Sequence, residues 1–596
     1  MIEYLRLAFG TVLVLLPGLA LGRTMSEVVA WTMGALFVAW GVVFAVHSNI
    51  TLAALILLLL FVVALVARRR LGLGRDWPRV AIGLGIVLGF FLWHTAGAVV
   101  GDGLFHEGRV RKLVELGDLH LRTVDEVKDG GLHPGYAFPL WHGLDALVAW
   151  LSGLDPSVVM RHEPSLLVPI AVAVAYEAGA AVFRSRAGGV TLALAQVALF
   201  CFAPGGGGSY AQLAQPANAA RQILAPAAIA LFFSRRYAAT AVVFGTLTLV
   251  HSSYALFMLV PLVVLACRER RAYLAAAVPV AAALLWLRPL VSETRAHNPS
   301  DVERMRGLQQ YADQLVISGP HHFRLAPEVL GRTGAVAVAA LFLLPLTALA
   351  IRRRWGQYVL GGSLLILLLM EVPWLFVHLS DVASLSQARR AAGFAPLPFA
   401  FAGAFALAAR RFIALPAALA AGIVLQLAWP GDFGVGLRNG GPALATWVAL
   451  IGGFAALAAV LVLRPPPPRE RHGLACAAAA LFVLPVVVHG FAHWSPRNPS
   501  DPEALSARLV HNLRTRVPEG AVVIAPVRTS YEVAAIAPVY VVAAPATHVA
   551  NTNANDPYRR IRDIHRWIAT HDPAIAHRYG ATWEILSGRL GRVPSG

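Results

Sequence analysis

At 596 residues, 57% of them hydrophobic and only 14% charged, the chain is too apolar for a soluble globule, and its mean hydropathy of +0.63 points to a polytopic membrane protein. The formal charge of +18 sits mostly on arginines at the ends of apolar runs, a topology signal that sets nucleic acid aside as a partner. The three cysteines, Cys201, Cys267 and Cys476, fall in or beside apolar runs at no metal-ligand spacing, so neither a disulfide framework nor a zinc site is expected.

Apolar runs near 4–21, 28–47, 50–67, 79–100, 163–183, 188–203, 217–233, 237–251, 253–267 and 272–290 open the chain. They continue near 333–351, 356–377, 394–409, 412–429, 443–463 and 473–492, giving about sixteen transmembrane helices. The run at 5–21 is followed at once by a second, so no cleaved signal peptide is expected. Arginine clusters at Arg68-Arg69-Arg70, 184–186, Arg235-Arg236, 268–271, 352–354, Arg410-Arg411 and 464–471 each end an apolar run, with pairs of runs between them. Assigned to the cytoplasm they keep parity throughout, which puts the N-terminus, 101–162, 292–332, 379–392 and everything after 492 on the outer face of the plasma membrane. The expected organisation is additional transmembrane helices over 1–78, a main transmembrane domain over 79–492 and an extracytoplasmic domain over 493–596.

Within the outer loop, 105–116 places Val110, Leu113 and Val114 at helical spacing with bases between them, predicting a helix at the membrane interface. A second juxtamembrane helix is expected over 139–154, with Trp141, Leu144, Val148 and Leu151 on one stripe. The run Pro204-Gly205-Gly206-Gly207-Gly208-Ser209 lacks the strand before it and the Gly-Lys-Ser/Thr after it that a nucleotide loop requires, and reads as a flexible connector. Ser300 with Glu303, and Ser500 with Glu503, have the spacing of capping boxes that start helices. Pro465-Pro466-Pro467-Pro468 is a stiff linker. Beyond it, helix over 504–516, strands over 521–525 and 539–543, helix over 556–569 and strand over 582–586 make a small α/β domain. The fold class is therefore an all-α polytopic bundle with a small C-terminal α/β domain.

Chemistry-bearing residues concentrate in Gly101-Asp102-Gly103-Leu104-Phe105-His106-Glu107-Gly108-Arg109. Asp102 reads either as the cap of the helix that follows or as a base or metal ligand facing a substrate. Glu107 either pairs with Arg111 or, if the first residues are extended, joins Asp102; His106 and Arg109 share the helical face of Asp102. Bases form the second constellation. Arg221 lies inside an apolar run, which is a functional-site hypothesis by default. His251 ends the next run, and Arg389-Arg390 and His321-His322-Phe323-Arg324 lie outside against the arginine trend. Arginine forks match phosphate, although headgroup attraction accounts for exposed ones as well. Glu371, within another run, is expected to pair with Arg221 or an outer base. No Gly-x-Ser-x-Gly, His-Glu-x-x-His or Cys-x-x-Cys occurs.

The acidic segment Asp102-Gly103-Leu104-Phe105-His106-Glu107 after an early span, the segment His133-Pro134-Gly135-Tyr136-Ala137-Phe138-Pro139-Leu140-Trp141, many further spans and a C-terminal domain together resemble the GT-C polytopic glycosyltransferases that use polyprenyl-phosphate sugars. The resemblance implies an inverting transfer to a hydroxyl of a cell-envelope glycan, lipid or protein acceptor, the sugar being a hexose or pentose. It implies Asp102 as the general base with Glu107 as second acid, and Arg221, His251, Arg389 and Arg390 as holders of the lipid phosphate. His106, Arg109 and His133 become acceptor or sugar contacts. The adjacent acid pair common in that family is replaced here by Asp102-Gly103, with Glu107 as the next acid. No cofactor is required; a divalent cation, if one binds, would take Asp102 and Glu107. The reading from another class is a flippase or transporter that moves a lipid-linked glycan without chemistry.

Overall fold

The computed structural model describes residues 2–71, 74–128, 130–294, 299–431, 442–466, 468–492, 494 and 504–594. The chain is a polytopic helical membrane protein. Eight of the described helices are long and apolar enough to cross a membrane, and a further pair, 354–371 and 373–383, meets at 87°. Every expected apolar run is helical, but several are shorter apolar helices of 10–17 residues. Several of these runs also contain non-α turns, π-helical at Ala198–Phe202, Ala220–Leu224, Gln357–Gly361 and Val448–Gly452 and 3-10 at Leu344–Ala350.

The elements that position the Asp102 patch lie in the first third of the chain. They are α1 (Ile2–Leu21), α2 (Met25–Val46), α3 (Ile50–Leu71), α4 (Arg79–Thr95), α5 (Asp102–Glu115), α6 (Leu140–Ser152), α7 (Pro156–Phe183) and α8 (Arg186–Val197). α4 crosses α7 closely because its contact face is bare: a Cβ on Gly85 would lie 2.5 Å from Cα of Pro169, and one on Gly89 only 2.1 Å from the Ser165 carbonyl. Glycines four apart on one helical face let two backbones approach, which is how apolar helices gain dispersion contact where burial from water cannot drive them together. α4 then hands the chain through 96–101 to α5, so this crossing sets where Asp102 emerges.

α5 differs from its expected place. It does not lie at a lipid boundary: residues from Phe105 to Leu113 are buried, including Arg109, Arg111 and Lys112. The covering layer is the C-terminal domain. After a hairpin of β1 (Leu315–Gly319) and β2 (His322–Leu325), the remaining strands β3 (Val522–Ile524), β4 (Tyr540–Val541), β5 (Trp583–Leu586) and β6 (Arg589–Arg592) form one sheet in the order β4-β3-β5-β6. β3 is parallel to β4 and β5, and β5 turns back antiparallel into β6. The expected strands and the helices Ala507–Arg516 and Pro557–Thr570 are present, with a further helix, Val527–Ile536, packed on α5. Phe105 and Val127 enter the apolar core of this domain beside Leu513, Val523, Val533 and Trp583. Backbone bonds seal the junction: Val541 N–H donates to the Glu126 carbonyl at 2.9 Å, and the Asn555 side chain bridges Gly131, accepting from its N–H at 2.9 Å and donating to its carbonyl at 2.8 Å.

α6, expected beside the membrane, is instead almost wholly buried against α1 and α5. The connector at 204–209 is held by Gly205, Gly206, Gly207 and Gly208, all at positive φ, a conformation other residues adopt at a cost. Ser300 and Glu303 form the expected capping box at Asp301–Gln309, while the one expected at Ser500 and Glu503 lies outside the described residues. All three cysteines are free. The α4–α7 crossing predicts a contrast: Gly89→Leu, aimed at the Ser165 carbonyl, loses about 3 kcal/mol or more of stability, seen as a lower melting temperature in detergent, whereas Gly83→Leu, with nothing within 4 Å of its Cβ, leaves melting unchanged.

Candidate active site

Gly101, at φ 56, precedes the first turn of α5 and supplies no side-chain cap; Asp102 is the first helical residue. Its side chain is 71% exposed and faces His548 of the C-terminal domain, with Oδ1 3.6 Å from Nε2, longer than a hydrogen bond but within ion-pair reach. The capping reading of Asp102 therefore has no counterpart in the bonds the residue makes. His548 is itself fixed on two sides. Its ring lies flat on Phe105 at 4.2 Å and 14°, and Nδ1 makes a short contact with the Tyr531 hydroxyl. Burial raises the pKa of Tyr531, so its hydroxyl keeps its proton and is able to donate to Nδ1 when His548 carries its N–H on Nε2. Burial also lowers the pKa of His548, with Asp102 pulling the other way, so the ring is neutral near pH 7 and its remaining N–H, on Nε2, points at Asp102.

The second acid is turned away. Five positions along a helix rotate Glu107 about 140° from Asp102. It is buried, accepts a short hydrogen bond from Ser157 and lies 3.7 Å from Arg111. Burial pushes its carboxyl up to about 7. Asp102 and Glu107 thus do not form the cation site that the sequence left open. Among the described residues no group of three or more His, Cys, Asp or Glu side chains could hold a metal.

The residues expected to meet acceptor or sugar hold the loop together. Arg109 is 1% exposed, with its fork filled by Asp125 at 2.7 Å, Glu126 at 3.1 Å and the Tyr136 carbonyl at 3.2 Å. His106 shares a 2.9 Å bond with His142. His133 accepts from the Gly135 N–H at 3.0 Å, and burial drives its imidazole down to about 3. The Tyr136 hydroxyl, pushed up to about 12 by burial, feels the charges of Arg390 and Asp102 alike, and so does His548.

Arg390 opens onto a cleft lined by Arg221, Gln314, Arg332, Thr333, Arg389 and Arg390. The π turn Ala220–Leu224 carries Arg221, whose Nη2 is 3.5 Å from the Tyr254 hydroxyl and whose guanidinium lies over the Tyr254 and Phe394 rings. Gly393 makes room for it, since a Cβ there would stand 3.0 Å from Nη2. Arg389 donates to Gln314 at 2.5 Å and stacks over Tyr311 at 4.3 Å. The Nε atoms of Arg221 and Arg389 are buried without a hydrogen-bond partner among the described residues. Burial, then the charges of Arg221 and Arg389, hold Arg332 below its ordinary range. Such crowding of cations is what an anion relieves. His251 is not in the lining; it stacks behind Tyr254 at 3.6 Å. Glu371 pairs with Arg324 rather than Arg221. From Arg221 a second, apolar pocket runs on among Phe200, Ile229, Met258, Tyr358 and Phe399.

Sequence reasoning missed His548 and Arg332. Arg332 carried a usable signal, an outer arginine against the inward trend, while His548 lies in Ala546-Thr547-His548-Val549 with no motif around it.

No protein-family model matches the sequence, and no curated protein matches it. Among solved structures, the chain is similar to the Archaeoglobus fulgidus oligosaccharyltransferase tethered to an acceptor peptide, at 9% identity over 85% of this chain and 68% of that one, with a TM-score of 0.43. It is similar to ArnT from Cupriavidus metallidurans in the apo state, at 15% identity over 83% and 91% of the two chains with a TM-score of 0.42. The same enzyme bound to undecaprenyl phosphate gives 14% identity over 86% and 96%, with a TM-score of 0.38. Identities and scores this low transfer no residue role.

The buried histidines predict acid sensitivity. His133 titrates near 6.5 when unfolded and at about 3 when folded. Its contribution is intact above the unfolded value and is lost as pH falls through the interval between them. His133→Gln should shrink the drop in melting temperature between neutral pH and about pH 5 by roughly 2 °C or more, checked by thermal melts in detergent.

Proposed function

We propose that this chain is a membrane glycosyltransferase of the GT-C kind, moving a sugar from a polyprenyl phosphate to an acceptor hydroxyl on the outer face. The observations that carry the reading are an exposed carboxylate, Asp102, whose charge acts on Tyr136 and His548 as that of Arg390 does, and the arginine cleft of Arg390, which opens at Arg221 into an apolar pocket. A polyprenyl-phosphate sugar has those three parts in that order, a reacting carbon, an anion and a hydrocarbon chain.

In this reading the prenyl chain enters the pocket of Phe200, Ile229 and Tyr358, and its phosphate lies among Arg221, Arg332, Arg389 and Arg390. Asp102 accepts the proton of the acceptor hydroxyl as that oxygen attacks the anomeric carbon. The bond from that carbon to the phosphate oxygen breaks, and the anomeric configuration inverts. The leaving phosphate gains charge, and the guanidinium groups of Arg221 and Arg389 line the cleft where it develops, which is how preorganised donors lower a barrier. His548, held by Tyr531 and Phe105, orients the Asp102 carboxylate through its Nε2–H and acts as a positioning residue. The fold family leaves room for a divalent cation, but Glu107 is turned from Asp102 and occupied by Ser157, so no step is routed through one. On this view the C-terminal domain is extracytoplasmic and walls the acceptor side. Hexose or pentose, and glycan, lipid or protein acceptor, are distinguished by assay.

Purified protein incubated with a panel of polyprenyl-phosphate hexoses and pentoses should release polyprenyl phosphate and glycosylated acceptor. Asp102→Asn is expected to cut turnover by about a thousandfold or more with melting temperature unchanged. Arg221→Gln should both slow transfer and weaken donor binding. Wild-type turnover in Asp102→Asn removes its role as base, and lipid movement without any glycosyl product favours the transporter reading.

A further inference from the structure

A second cavity lies at the other end of the bundle from Asp102. α7 has 28 residues, about 42 Å at 1.5 Å per residue. The N-cap of α7, Asp155, pairs with Arg111 at 2.7 Å beneath the Asp102 patch, and its far end, Arg184, borders the second cavity. That space, about 350 Å³, is lined by Arg184, Arg268, Arg352, Arg353 and Arg354, contributed by three separate stretches of chain, with Glu470 the one carboxylate in the described lining.

The carboxylates nearby are already committed. Glu470 takes Arg353, the Trp355 Nε1–H at 2.9 Å and His472 at 2.8 Å. Glu269, beside the cavity, takes Arg235 at 2.9 Å and Arg354 at 2.8 Å. Arg184, Arg268 and Arg352 make no ion pair with a carboxylate among the described residues, and Arg268 is tied only to the Arg352 carbonyl at 3.2 Å and Gln357 at 3.5 Å. Arg184 ends α7 in the left-handed region at φ 54, where a glycine would be free of strain. Topology alone asks for arginines at this end of the helices. It does not ask for them to converge on one concavity with their carboxylates spent elsewhere. The rest of the wall is Val182, Phe183, Phe233 and Trp355, apolar surface that suits the glycerol and first methylenes of a lipid better than a hydrated free ion.

We propose that this cavity binds the phosphate headgroup of an anionic membrane lipid. Guanidinium forks match phosphate oxygens, and basic pockets between helices at the cytoplasmic surface attract such headgroups at about 1 kcal/mol per arginine, or roughly fivefold each. The site is remote from Asp102, so its test is independent of the reaction assigned above.

The experiment is native mass spectrometry of the purified full-length protein in detergent, with phosphatidylglycerol, phosphatidylcholine and inorganic phosphate as probes. Phosphatidylglycerol should be retained at least about tenfold better than phosphatidylcholine, and that preference should fall about fivefold in Arg268→Gln and further in Arg268→Gln/Arg352→Gln. Arg268 is exposed, so the single variant keeps the test valid if the double variant fails to elute as one species. Equal retention of the two lipids, or a preference unchanged in Arg268→Gln, overturns the proposal. Retention of inorganic phosphate with no preference between the lipids identifies a free-anion site and overturns the headgroup assignment.

Discussion

Three buried cations on one short helix determine how this molecule is put together. Arg109 at 1% exposure, Arg111 at 2% and Lys112 at 1% would each cost several kcal/mol if left unpaired away from water. Their partners come from several parts of the chain. Arg109 draws in Asp125 and Glu126 of the loop that follows, and Arg111 binds Asp155 at the head of α7 and the Ala535 carbonyl of the C-terminal domain. Lys112 meets the Asp125 carbonyl and lies 4.5 Å over the Tyr540 ring. α5 is therefore clamped between bundle and domain, and only its first turn remains in the open. Asp102 keeps its side chain exposed, whereas Phe105 to Leu113 are buried and Val114 and Glu115 half-buried.

That clamp also explains what could be read in advance. Asp102 stood out in the sequence because its signal is local: a charged residue directly after an apolar run. Arg221 was legible for the same reason, as a charge inside such a run. The strands of the C-terminal domain appear where apolar residues cluster between turns, and Ser300 with Glu303 caps its helix as their spacing predicts. The burial of α5 was not legible. Its sequence, with bases between apolar positions, suits a lipid interface equally well, and its lid arrives from Ala535, 424 residues after Arg111. Hydropathy also does not register π turns such as Ala220–Leu224, and that one carries the arginine of the cleft.

The site divides its labour along the chain in a way no single motif reveals. In the proposed site the bundle contributes the cleft and the apolar pocket behind it, the first turn of α5 contributes Asp102, and the C-terminal domain contributes His548 and Tyr531. Residues that sequence reading placed at the reaction, such as His106, Arg109 and Glu107, hold the platform instead, because a helix that buries its charges must consume them. Arg390 lies between the two regions, its charge felt at His251 as well as at Tyr136 and His548.

The central claim is that the arginine cleft holds a lipid phosphate whose chain fills the pocket beyond Arg221. A cryo-electron microscopy map of the protein incubated with a polyprenyl phosphate tests it most directly. The account predicts density for the phosphate within hydrogen-bond reach of Arg221, Arg332 and Arg389, continuous with a chain between Phe200 and Tyr358. Density for the lipid elsewhere, with that cleft and pocket unchanged, would contradict it.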